Sequence, residues 1–91
     1  MKINLILKGV TKMKVRNFKE LNSEYPMVVE LVVYKPTFRK RVDIVINEKI
    51  SFALASNIVA YAIPRSLNGR VSKAWDMDDL DNQTIITVDY E

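Results

Sequence analysis

The sequence predicts an α+β domain: a small antiparallel sheet of about five to six strands with one buried helix, residues ~48–63, packed on a face. Two observations predict it. Short runs rich in β-branched residues alternate apolar with polar positions, most clearly at Met27–Tyr34 and Arg41–Ile46. Between such runs, Ile50–Ile63 carries four alanines and no charge, with Ile50, Leu54, Ile58 and Tyr61 at helical spacing. The expected order is roughly β-β-β-β-α-β-β.

Taken in order, Ile3, Leu5 and Leu7 alternate as a strand, and Gly9 marks a bulge or turn. Thr11, Met13 and Val15 alternate with Lys12, Lys14 and Arg16, a second half-buried strand with one cationic face. Asn17 followed by Glu20 has the spacing of a capping box, so residues 18–24 are expected to make a helical turn before Pro26. In Met27–Tyr34, Val29, Leu31 and Val33 form one face, with Val28, Glu30, Val32 and Tyr34 on the other. Val42, Ile44 and Ile46 repeat the pattern, and an antiparallel hairpin is the natural pairing of the two runs.

For Ile50–Ile63, Asn47 is a possible cap and Pro64 a stop. Phe52, Val59 and Ile63 fall on the second side, so the helix would be apolar nearly all round and covered on two sides; a strand pair is the alternative. Asn68-Gly69 is a type I′ turn signal. Val71, Lys73 and Trp75 then alternate as a strand, Asp76–Asn82 reads as a polar connection, and Ile86, Val88 and Tyr90 alternate in a final strand.

A chain of 91 residues is expected to be one domain, and one of this size buries only about 60–70% of its unfolded surface. The absence of cysteine excludes disulfides and thiolate metal sites. The longest uncharged stretch, Ile50–Pro64, falls short of the roughly 18–20 residues a membrane span needs, so a soluble cytoplasmic protein with no membrane partner is expected. Catalysis is poorly supported. Histidine is absent, Ser72 and Lys73 would point to opposite faces of a strand, and two isolated glycines build neither a P-loop nor a dinucleotide fingerprint. Asp76, Asp78, Asp79 and Asp81 resemble a hard-cation cluster but fail the EF-hand pattern, and a solvated acidic loop is the plainer account. No cofactor and no metal are expected.

Charge is what points to a partner. Residues 1–70 hold 13 Lys+Arg against 5 acids, net +8, while residues 71–91 hold one cation against six acids, net −5. Tyr34, Lys35, Phe38, Arg39, Lys40 and Arg41 put four cations and two aromatics into the hairpin connection. Cations neutralise phosphates and aromatic faces stack on bases, so the leading expectation is a non-enzymatic accessory protein that binds nucleic acid, single-stranded rather than duplex. Lys12, Lys14, Arg16, Lys35, Arg39, Lys40 and Arg41 would meet phosphates, and Tyr34 and Phe38 would stack. The same cations and Pro36 also suit plain protection of an edge strand, with Tyr34 and Phe38 as cross-strand packing partners. The second expectation is an assembly module forming a homo-oligomer through the uncharged 50–63 segment. Trp75 suits either core packing or an exposed stacking role. No family motif is present; size and composition suggest only the style of small accessory proteins of phages and mobile elements.

Overall fold

The computed structural model describes residues 15–34, 40–69 and 72–90. The expected strands at Ile3–Leu7 and Thr11–Val15 fall wholly or almost wholly outside them. The described chain runs α1 (Phe18–Glu24), β1 (Val28–Val33), β2 (Lys40–Ile46), α2 (Phe52–Ala62), α3 (Arg65–Asn68), β3 (Lys73–Leu80) and β4 (Gln83–Tyr90). The architecture is α+β, with a correction: the sheet has four strands among the described residues, not five to six, and beside the main helix and the helical turn expected at 18–24 there is a third short helix, α3.

The sheet order is β1-β2-β4-β3, and every neighbouring pair is antiparallel. Cross-strand partners share a face, so the register defines two surfaces. The inner one carries Val28 and Leu31, then Val42, Ile44 and Ile46, then Ile86 and Val88, with Trp75 and Met77 from β3. Between Val28 and Glu30 the register shifts by one residue, which leaves Val29 unpaired. This bulge moves Val28 onto the inner face beside Leu31, where strict alternation would have kept it outside.

Ser51 caps α2, its Oγ accepting from the Leu54 N–H at 3.1 Å. The expected cap, Asn47, lies four residues earlier, where its N–H donates to the Met27 carbonyl and closes the end of β2. Ala55, Ile58, Val59 and Ala62 are buried against the sheet, and Ile63 joins them. The helix is therefore half-buried rather than buried. Ala53, Ser56, Asn57 and Ala60 face out, because the larger aliphatics fall within one arc of the helical wheel. No helix among the described residues is long and apolar enough to cross a membrane.

α1 forms as its capping box dictates: Asn17 Oδ1 accepts from the Glu20 N–H at 2.9 Å, and Glu20 Oε1 accepts from the Asn17 N–H at 3.2 Å. Leu21 is its one buried residue, and Asn22 Nδ2 donates to the Val28 carbonyl at 2.9 Å, holding the turn into β1.

The expected polar connection at Asp76–Asn82 is instead most of β3. Asp76, Asp78 and Asp79 lie in the strand, paired with Thr87, Ile85 and Thr84. Aspartate is a poor strand former, but pairing along the whole of β4 outweighs that preference. The chain reverses at Asp81–Asn82, where Asn82 takes φ 54, a left-handed conformation asparagine tolerates. Asn68-Gly69 makes no hairpin. Gly69, at φ 65, ends the single turn of α3, its N–H donating to the Arg65 carbonyl at 2.8 Å.

Ile44 is central and fully buried, so Ile44→Ala should destabilise the protein by about 2–5 kcal/mol, whereas Ala60→Ser on the outward face of α2 should stay within about 0.5 kcal/mol. Chemical denaturation of the two variants checks both values.

Candidate functional site: the cationic end of the sheet

The last turn of α2 contains no basic residue, so its C-terminal carbonyls look elsewhere for donors. Arg16 supplies two: its backbone N–H donates to the Ala62 carbonyl at 2.9 Å and its Nε to the Tyr61 carbonyl at 2.8 Å. Its guanidinium also lies 4.4 Å from the Tyr61 ring centroid and 3.6 Å from Glu20. Lys73, from the start of β3, supplies the third, Nζ donating to the Ile63 carbonyl at 2.7 Å. Cations at a helix C-terminus also complement its dipole.

Two further cations stand at this end. Arg65 follows Pro64 immediately after α2 and lies near enough to Lys73 to act on its charge. Lys40 and Lys73 both pair with Tyr90, which sets Lys40, Tyr90 and Lys73 in one row across three strands on the inner face. Burial first, and the Arg65 charge second, hold the Lys73 ammonium below the ordinary lysine range. Burial likewise raises the Tyr90 phenol above its usual value. Among the described residues no ion pair involves Lys40, Arg65 or Lys73; the pairs there are Arg16–Glu20 and Arg41–Asp43.

The hairpin residues divide between the faces. Lys40 is on the inner face, and Arg41 on the outer one opposite Asp89. Asp43, only 9% exposed, organises the outer side. Tyr34 Oη donates to Asp43 Oδ2 at 2.8 Å, Arg41 Nε donates to Oδ1 at 3.2 Å, and the guanidinium sits 5.1 Å from the Tyr34 ring centroid. Desolvation pushes the Asp43 carboxyl up, but hydrogen bonds from Tyr34, Arg41 and Thr87 outweigh it and hold the carboxyl below its ordinary range. The same hydrogen bond raises the Tyr34 phenol. Tyr34 and Arg41 are thus engaged with each other and with Asp43.

Of the residues the sequence nominates, Arg16 and Lys40 come to the cationic end, Tyr34 and Arg41 form the cluster with Asp43, and Lys12, Lys14, Lys35, Phe38 and Arg39 lie outside the described residues. Arg65 and Lys73 were not nominated. Among the described residues, the outer face of the sheet carries Glu30, Asp43, Asp76, Asp78 and Asp89 beside Arg41. The β3 carboxylates alternate between faces, Asp76 and Asp78 outward and Asp79 inward, where it accepts from the buried Thr84 hydroxyl at 3.4 Å. Among the described residues no group of three acidic side chains is placed to hold a metal ion.

The chain matches no protein-family model, no curated protein and no solved structure. Function therefore rests on the site alone.

Because the Asp43 carboxyl is held low in the fold, its contribution is present above the unfolded carboxylate range and is lost as pH falls through the folded value. Thermal melts should show the wild type losing stability below about pH 4 more steeply than Asp43→Asn, the two curves converging in acid. Parallel curves would remove Asp43 from the pH response.

Proposed function

We infer that this is a cytoplasmic, non-catalytic protein that binds single-stranded nucleic acid at the cationic end of the sheet. The observation that carries the reading is the placing of Arg16 and Lys73 on the last carbonyls of α2, with Arg65 near Lys73 and Lys40 two strands across in the same row, and with no carboxylate paired to Lys40, Arg65 or Lys73 among the described residues. Crowded cations repel one another, and an arriving phosphate relieves that repulsion while releasing its own counterions. Lys35 and Arg39 belong to the β1–β2 connection and add two more positive charges to the chain just before Lys40. The acid-rich outer face gives the approach a direction.

A second reading is favoured by the outward face of α2. Ala53, Ser56, Asn57 and Ala60 are exposed and uncharged, a surface on which the same helix of a second copy can approach closely. Sedimentation separates the two readings: a monomer at micromolar concentration that still binds nucleic acid leaves only the first.

Anisotropy of a labelled oligothymidylate, followed across salt concentrations, tests the leading reading. Each phosphate neutralised on a single strand should lower log K by about 0.7 per decade of salt, so four engaged cations give a slope of roughly −3. Lys40→Ala together with Arg65→Ala should bring it to roughly −1.4 without unfolding, since neither side chain belongs to the apolar core. Absence of binding at low salt contradicts the reading.

A further inference from the structure

Phe52 is the first residue of α2 and the most exposed of the large apolar side chains among the described residues, at 67%. Its ring stacks on Trp75 with centroids 4.8 Å apart and planes 23° from parallel. One face of Phe52 is thus occupied by the indole, and its exposure leaves the other to solvent. Trp75 is itself half-buried against the core, which fixes the underside of the stack. A phenyl ring left this far in water forfeits most of the stabilisation its burial would bring.

Trp75 lies two residues after Lys73 on the same inner face of β3, so their Cα atoms are about 7 Å apart. Phe52 opens α2 while the cations gather at its other end, about 16 Å along the axis, so a strand held there by its phosphates reaches this flat apolar surface further along its length. We propose that Phe52 and Trp75 form a stacking platform for a nucleobase of single-stranded nucleic acid, with Lys73, on the same strand face as Trp75, leading the strand on to the cationic end. The inference rests on the nucleic-acid reading above and deepens it. Base–aromatic stacking tolerates any base because every base has a π-face, so the platform confers preference for single strands over duplexes rather than for sequence. It assigns the stacking role to residues of α2 and β3, whereas Tyr34 is committed to Asp43 and Arg41.

The chain contains one tryptophan, so its fluorescence reports on this stack. The full chain is titrated with oligothymidylate and, separately, with inorganic polyphosphate, a polyanion without bases. Quenching of Trp75 fluorescence by oligothymidylate, and binding of polyphosphate without quenching, is the expected pair of results. Phe52→Ala should weaken oligothymidylate about five- to 150-fold and leave both polyphosphate affinity and the salt slope unchanged. Phe52→Leu keeps apolar cover over Trp75 but removes the π-face, and should weaken oligothymidylate similarly even where Phe52→Ala fails to fold. Oligothymidylate binding that is indifferent to Phe52→Leu and leaves the fluorescence unchanged overturns the platform while the cationic site stands. Failure of both polyanions to bind overturns the two together. If Phe52→Leu instead shifts the sedimentation of the free protein and not its affinity, Phe52 covers an interface between copies, and the platform is overturned.

Discussion

The C-terminal end of α2 ties the layers of this fold together. Arg16, before the helix in the chain, satisfies the Tyr61 and Ala62 carbonyls, and Lys73, after it, satisfies that of Ile63. Each of these bonds reaches a different layer. Arg16 binds α2 to the start of α1, where Glu20 holds both the cap and the guanidinium, and Tyr61 packs edge-on against Tyr25 at 5.7 Å. Lys73 binds α2 to the edge of the sheet. Burial of Ala55, Ile58, Val59 and Ala62 supplies the attraction between helix and sheet, and the two cations set where along the sheet the helix ends.

The same arrangement gives the molecule its charge polarity. Cations recruited to a helix C-terminus must stand close together, and here they join Arg65, which follows the helix, and Lys40, which shares a row with Lys73. Carboxylates collect on the outer face of the sheet, where Asp43 is held by Tyr34 and Arg41. A net charge of +3 conceals this separation. What a partner meets is a face, and an anion meets very different fields at the two faces. An element of the folding solution, the capping of α2, thus also creates a surface suited to phosphates.

Much of this was legible in the sequence, and the reasons for the remainder are specific. The capping box at Asn17–Glu20 and the alternation in β1, β2 and β4 are local patterns, and the structure contains the corresponding elements. The bulge at Val29 was invisible because Val28 and Val29 are chemically identical, and alternation cannot say which is the extra residue. The far half of β3 was hidden by aspartates whose strand character comes only from pairing with β4. Asn68-Gly69 carries a hairpin signal, but a helix stop also uses a glycine at positive φ, as Gly69 does here. At the site, Arg16 and Lys40 were legible as cations in patterned strands. Lys73 and Arg65 were not, since their convergence depends on long-range packing.

Backbone amide shifts on addition of oligothymidylate at low salt show whether the cations near the end of α2 form a polyanion site. Perturbations are expected to concentrate at residues 16, 40, 61–63, 65, 73–75 and 90, with Glu30, Asp76 and Asp78 on the outer face unmoved. Perturbations centred on the outer face, or none at saturating oligonucleotide, would contradict a site there.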